Sequence, residues 1–289
     1  MLNRAAATCR LKYLYQPLLT TLFALMVVQP AFSEREPLPL WDAGAAFGAT
    51  RIPHYRGSGQ YNTWAAPGPL FNYRGDILKV DDDGVRTEFR INKDTEIDIS
   101  FGANLPVSAE DRGVRADMGR LEATAETGPS LQMRVWQHAT DNREFWIKLP
   151  VRAQFVVDSD GIHPQGLIFA PYVQFIARDI RASRWGYSLS LGPLYADNEY
   201  YEHFYDVPLE YVTAVRPLFK TGGGYGGSRI ILNLYNAAYP ISYGVFLRWD
   251  TLKDSEFEES PLVEERENLS VGFGISWHIW SSKKTVPIR

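Results

Sequence analysis

Residues 121–157 read LEATAETGPSLQMRVWQHATDNREFWIKLPVRAQFVV, two facing runs of alternating character. In the first, Leu121, Ala123, Ala125, Thr127, Pro129, Leu131, Met133 and Val135 share one parity. Glu122, Thr124, Glu126, Gly128, Ser130, Gln132 and Arg134 hold the other. After a polar break at 138–142, Phe145, Ile147, Leu149, Val151, Ala153, Phe155 and Val157 stand against Glu144, Trp146, Lys148, Arg152 and Gln154. A period of two sends successive side chains to opposite faces of a strand, so the two parities meet different media. Each run exceeds twelve residues, against the ~5–6 usual for a soluble strand. Long strands, apolar on one side and charged on the other, are what a membrane-spanning β-barrel requires. An antiparallel sandwich in water gives similar alternation, so the rest of the chain must decide.

The same parity test marks strands at 41–49, 71–77, 85–105, 167–179, 185–195, 230–236, 243–251 and 269–280. Short connections at 81–84, 138–142, 180–184 and 239–242 alternate with long ones at 51–69, 106–119, 158–166, 196–229 and 252–268. Outer-membrane barrels have short periplasmic turns and longer outer loops, whereas a sandwich has no reason to gather every long loop at one end. The expectation is an all-β, antiparallel up-and-down transmembrane barrel of about ten strands with both termini periplasmic. A hairpin turn at 92–95 and a further strand within 211–220 would make twelve. Trp41, Tyr73, Trp185, Tyr195, Tyr243, Trp249 and Trp277 lie near strand ends, where interfacial aromatic girdles form. The sequence shows no internal repeat and no convincing amphipathic helix.

Arg4, Arg10 and Lys12 precede an apolar run at 18–28, and Ala31-Phe32-Ser33 follows. This is the pattern of a cleaved signal peptide over 1–33; the run falls short of the ~20 residues that span a bilayer. The barrel then occupies 34–280 and a basic tail 281–289 remains in the periplasm. The single cysteine, Cys9, lies within the signal, which excludes disulfides, thiol chemistry and cysteine metal sites from the mature chain. Removing three basic residues with the signal leaves 27 against 34 acidic ones, a net charge of −7. An acidic chain without a basic patch is not a nucleic-acid binder.

Hydrolysis by a serine–histidine pair needs a nucleophile held by a base. The histidines are His54, His138, His163, His203 and His278, and none sits in a nucleophile motif. A rim pair of His203 with Asp206 or Asp197 is the nearest candidate, although His203 fits better in an aromatic loop cluster with Tyr200, Tyr201, Phe204 and Tyr205. Metal-ligand spacing is missing from that loop. The glycine run 222–227 lacks the Lys and Ser/Thr of a phosphate loop and reads as a hinge. No catalytic residue, metal or cofactor is therefore expected. Parity turns Asp42, Arg74, Asp76, Arg86, Glu88, Arg90, Glu122, Glu126, Arg134, Glu144, Lys148, Arg152, Arg178, Arg248 and Asp250 inward. Both signs are present, which points to interlocking ion pairs in a narrow or plugged lumen rather than a one-sign selectivity ring.

Certain segments carry a resemblance: Ile52-Pro53-His54-Tyr55-Arg56-Gly57-Ser58, Tyr73-Arg74-Gly75-Asp76, Asp117-Met118-Gly119-Arg120-Leu121-Glu122, Ser260-Pro261-Leu262-Val263 and Val271-Gly272-Phe273-Gly274-Ile275-Ser276-Trp277. In their order and spacing, from about Trp41 to Trp280, the chain resembles the MipA/OmpV family of outer-membrane proteins. The resemblance implies a barrel set in outer-membrane lipid and lipopolysaccharide. It also implies a non-enzymatic scaffolding role that brings a lytic transglycosylase together with a penicillin-binding protein. A narrow channel for small solutes or antibiotics is the alternative. The resemblance supplies no catalytic residues. The chain departs from barrels of this kind in continuing past Trp280, with a tail read as solvated and disordered.

Overall fold

The computed structural model describes residues 38–286 apart from 76–77, 82–83, 88, 108–112, 139–141, 179 and 181–182. The expected signal peptide lies outside them, as do 287–289. The last strand shows why the chain folds as it does. Along Glu267–Ser281, Leu269, Val271, Phe273, Ile275, Trp277 and Ile279 point outward and are exposed, while Asn268, Ser270, Ser276 and His278 are buried. In water this arrangement would expose apolar surface at roughly 25 cal/mol per Å² and bury polar groups as well. It is stable only where the outer medium is itself apolar. The burial pattern is that of a protein turned inside out, and it identifies a transmembrane barrel rather than a sandwich.

Beside a separate two-stranded pair of Leu38–Pro39 and Thr285–Val286, twelve strands make up the main sheet among the described residues when each interrupted strand is counted once. They are β1 (Trp41–Pro53), β2 (Tyr61–Arg74), β3 (Leu78–Asp81), β4 (Gly84–Thr87 and Phe89–Asn92), β5 (Thr95–Asn104) and β6 (Ala123–His138). Then follow β7 (Arg143–Val157), β8 (Ile162–Phe169 and Tyr172–Ala177), β9 (Trp185–Ala196), β10 (Gly224–Asn236), β11 (Ile241–Thr251) and β12 (Glu267–Ser281). Every pairing is antiparallel, and β1 pairs with both β2 and β12. The order from neighbour to neighbour begins and ends on the two segments of β4, which are consecutive in sequence: the first pairs with β3 and the second with β5. The narrowest junction is β2 with β3, where the pairs are Tyr73↔Val80 and Arg74↔Lys79.

Twelve, not ten, is thus the count, and the difference is confined to residues 61–104. The run expected as one strand over 85–105 is two, folded at Lys93–Asp94. A two-residue turn preserves the alternation, so parity alone hides it. The expected loop 51–69 shrinks to 54–60 because β2 begins at Tyr61, its Ala65-Ala66-Pro67-Gly68-Pro69 stretch having carried no apolar contrast. No strand forms within 211–220; that segment holds a 3-10 turn at Leu209–Tyr211 and an isolated bridge, Val207↔Phe219. The expected loop 158–166 shortens to 158–161, while 105–122, 197–223 and 252–266 remain long and share one end with 54–60.

The tail is not loose where it is described. Thr285 and Val286 pair with Pro39 and Leu38, and Leu40 donates its backbone N–H to Lys284. N-terminal and C-terminal segments are thereby tied together across the end that carries the short turns. Aromatics gather on the outer surface, with Trp185 edge-on to Tyr243 at 5.7 Å near the turn end and Tyr195 against Tyr225 at 5.7 Å near the loop end.

Replacing outward-facing, mid-strand Phe273 by Arg should cost about 2–4 kcal/mol in denaturant unfolding from lipid vesicles. In a water-facing sandwich the same change would be nearly neutral, since Phe273 is already exposed.

Candidate functional site: a charged lumen beneath an apolar cap

The largest apolar core of the chain lies outside the sheet. Tyr55, Val107, Leu121, Tyr201, Phe204, Tyr205, Leu252 and Phe257 form one buried cluster contributed by all four loops of 54–60, 105–122, 197–223 and 252–266. At its centre is helix α1 (Asn198–Tyr205), an element the sequence reading did not expect. Asp197 caps it, accepting from Tyr200 N at 2.9 Å through Oδ1 and from Leu167 N at 2.8 Å through Oδ2. Tyr205 stacks on Phe257 with ring centroids 3.7 Å apart, and its hydroxyl donates to the Arg56 carbonyl at 2.8 Å. Burial raises that phenol well above its ordinary range, so it remains a donor. Arg216, itself buried, donates to the Val114 and Ala116 carbonyls and ties the third loop to the second.

The glycine run is a seat for this cap, not a hinge. A Cβ on Gly226 would lie 2.1 Å from the Tyr201 hydroxyl, and one on Gly227 would meet the Thr251 carbonyl at 2.0 Å and Arg56 Nη2 at 2.9 Å. Gly227 also has φ +90°, a left-handed conformation natural to glycine. Gly224–Gly227 opens β10 while leaving room for Tyr201 and Arg56 to pass.

Beneath the cap, two ion-pair groups line the wall. Asp250 of β11 is fully buried and meets three guanidiniums: Arg229 Nε at 2.7 Å, Arg248 Nε at 2.9 Å and, from the first loop, Arg56 Nε at 3.0 Å. Glu126 of β6 accepts from Arg152 Nε at 2.9 Å and from the Tyr200 hydroxyl at 3.0 Å, which pins α1 to the lumen wall.

Two further groups sit at the turn end. Glu144 of β7 binds Arg178 Nη1 at 2.7 Å, Arg134 Nη1 at 3.2 Å and the Trp146 indole at 3.0 Å, and Arg134 also reaches Asp94 at 3.0 Å. On the opposite side of the strand order, Asp42 of β1 is buried against Arg74, Asn72 Nδ2 at 2.9 Å and His278 Nδ1 at 2.7 Å. His278 Nε2 in turn lies 3.3 Å from Ser242 Oγ. The order Ser–His–Asp matches a hydrolase relay, but Ser242 is 2% exposed, so a substrate carbonyl has no route to Oγ in this arrangement. What the string does accomplish is to join β1, β11 and β12, the strands nearest the two chain ends.

Of the residues expected inward, Asp42, Arg74, Glu126, Arg134, Glu144, Arg152, Arg178, Arg248 and Asp250 fall into these four groups. Lys148 lies half-buried beside the rings of Trp146 and Tyr172, each 5.9 Å away. Glu122 sits in the second loop, paired with Arg120 at 3.3 Å, and Arg90 occupies an exposed strand end. Asp76, Glu88 and the side chain of Arg86 lie outside what is described. The parity reading missed Arg56, which arrives from a loop, and Arg229, which stands one residue before the expected start of its strand. It placed His278 on the polar face without assigning it a partner.

The rim pair of His203 with Asp206 or Asp197 does not assemble. Asp206 accepts from Thr221 N and Oγ1, both at 2.7 Å, and Asp197 caps α1. His203 lies edge-on to Phe204 at 4.8 Å with Nε2 buried and without a hydrogen-bond partner. Burial lowers its pKa to about 4, partly opposed by a backbone hydrogen bond at Glu122. Among the described residues no group of His, Cys, Asp and Glu is arranged to hold a metal.

A protein-family model described as MltA-interacting protein MipA matches residues 44–279. No curated protein matches the chain. Among solved structures, a bacterial polysaccharide outer membrane secretin is similar at 10% identity and TM-score 0.42, covering 82% of this chain and 98% of its own. An outer membrane channel from Pseudomonas putida F1 is similar at 10% identity and TM-score 0.36, covering 87% and 100%. An outer membrane phospholipase of Salmonella typhi follows at 9% identity and TM-score 0.32, covering 89% and 97%. Likenesses this distant do not bear on chemistry.

Two outcomes test the geometry. His203 is neutral in the closed cap and protonates near pH 6.5 once the loop opens, so lowering pH from about 6.5 to 4 should weaken the cap by roughly 1 kcal/mol per unit. Loop proteolysis followed against pH should show this in the wild type and not in His203→Gln. His278→Ala, which leaves Asp42 to Arg74 and Asn72, should lower barrel stability by about 1–3 kcal/mol in denaturant unfolding.

Proposed function

The chain belongs to the MltA-interacting protein family of outer-membrane β-barrels, and on that premise we propose that it is a non-catalytic docking protein whose periplasmic end holds a murein-processing enzyme. The family description names such an interaction, and a lytic transglycosylase is the partner it suggests; a penicillin-binding protein is the second member of the assembly. The observation that carries the reading is the asymmetry between the two ends. The loop end is shut by an apolar cap of the chain's own residues. At the turn end, by contrast, Phe89–Asn92 and residues 135–138 are exposed on both faces, with Phe89, Ile91, Val135 and Trp136 among them. A strand end exposed on both faces offers apolar side chains to a partner. These two strand ends are bound into one ledge, because Arg134 donates its backbone N–H to Asp94 at 2.7 Å and Nη2 to the Lys93 carbonyl at 2.8 Å. Exposed Lys283 and Lys284 add positive charge beside the paired termini.

A second reading, a narrow solute channel, draws on the inward arginines that keep part of their surface open, Arg178 at 33% and Arg229 at 28%. The two readings separate experimentally. Photo-crosslinkers at Ile91 and Trp136 in intact envelopes should capture a murein enzyme, while the same group at Phe273 should capture lipid. The purified barrel should be electrically silent in planar bilayers. Stepwise conductance together with crosslinks to lipid alone would favour the channel and remove the docking reading.

A further inference from the structure

Among the described residues, the loop-end lumen holds more positive charge than its ion pairs consume. Asp250 supplies one carboxylate to three guanidiniums, which leaves an excess of two positive charges. The adjacent Arg152–Glu126 pair is neutral and does not offset it. Arg248 faces Asp250 and the like charges of Arg229 and Arg56, and Arg229 faces Asp250 and Glu126. An uncompensated pair of charges in a membrane-embedded wall is costly unless an anion or water balances it.

Hydrogen bonding in the cluster is also incomplete. Arg56 Nε and Arg248 Nε lie at ion-pair distance from Asp250 yet out of line with it, and both atoms, like Asp250 Oδ2, are buried without a hydrogen-bond partner. Asp250 is the only ion-pair partner of Arg229 and of Arg248 among the described residues. Their side chains keep 28% and 25% of their surface open although the carboxylate between them is sealed. Both stand on the inward parity of β10 and β11, as Arg229↔Asp250 and Ile231↔Arg248 pair across the strands. The open guanidinium surface therefore faces the lumen, out of reach of the surrounding lipid.

We propose that Arg56, Arg229 and Arg248 form a binding site for a small oxyanion, a phosphate or a carboxylate, held in the lumen beneath α1. Two parallel N–H groups of a guanidinium match two oxygens of such an ion, which a halide does not offer. The excess charge supplies attraction, and the fork geometry supplies preference. Asp250 acts in this site as a fixed spacer that holds three like charges together when the oxyanion is absent. The site stands apart from partner docking at the other end, so failure of the crosslinking experiment leaves it untouched.

The test uses the full mature barrel folded in detergent micelles. Its thermal unfolding midpoint is measured against inorganic phosphate, acetate and chloride at matched ionic strength. Phosphate and acetate should raise the midpoint saturably, and chloride should not. Arg248→Gln, which leaves Asp250 paired with Arg56 and Arg229, should weaken the phosphate response roughly tenfold or more. Arg266→Gln, in an exposed pair with Glu258 on the fourth loop, should respond as the wild type does. Where Arg248→Gln does not fold, Arg229→Lys replaces it, keeping the charge but removing the fork, with the same loss expected. Equal stabilisation by chloride, or an unchanged phosphate response in the folded variant, overturns the proposal.

Discussion

Lipid offers a peptide group no hydrogen-bond partner, and that constraint governs the molecule. A strand set among acyl chains must find its amide and carbonyl partners on neighbouring strands, so the sheet has to return on itself. Here the two ends of the strand order are the consecutive segments Gly84–Thr87 and Phe89–Asn92, one paired with β3 and the other with β5. The two chain ends meet at the β1–β12 pairing and are tied again below it by Leu38↔Val286. Once the outer surface is given to lipid, polar side chains have only the interior left. Each charge drawn into the interior then requires a partner of opposite sign.

That requirement explains the lumen. Its ion-pair groups gather at the two ends, with Asp250 and Glu126 toward the loops and Asp42 and Glu144 toward the turns. Between these levels stand uncharged groups such as Ser130, Ser188 and Ser270, all buried, together with the buried carboxylate of Asp98, which accepts from Gln132 Nε2 at 3.2 Å. A charged group near a strand end needs less desolvation than one at mid-height, because water reaches it more easily. The apolar core, displaced from its usual place inside the sheet, reappears in the cap, where Tyr205, Phe257 and Tyr201 pack as they would in a soluble protein. Cap and lumen are mechanically joined, since Tyr200 reaches Glu126 and Arg56 runs from a loop to Asp250.

The two ends consequently differ in kind. One is sealed by the chain's own hydrophobic residues and fixed by side chains that reach into the lumen. At the other, the strand ends Phe89–Asn92 and 135–138 stand exposed. That asymmetry is what the docking reading rests on. The arginine cluster near the sealed end is consistent with this division, because an oxyanion bound there would lie in a closed compartment rather than along an open path.

Sequence alone determined the alternation, and with it the barrel, because a period of two in side-chain polarity survives any detail of tertiary structure. It also determined which charges face inward along β6 and β7, where apolar contrast is strong: Glu126, Arg134, Glu144 and Arg152 were legible from parity. The hairpin at Lys93–Asp94 was legible only as an alternative, a turn at 92–95, since a two-residue turn leaves Ile91 and Ile97 in phase. Not legible was β2, whose alanines, glycine and prolines give no polarity signal. The helix α1 escaped because eight residues are too few to show helical periodicity, and it is held by tertiary contacts rather than by its own propensity. Only the folded chain decided the partners. Arg56 lies 194 positions from Asp250 and Asp42 lies 236 from His278, and separations of that size come from sheet closure, which no local pattern encodes.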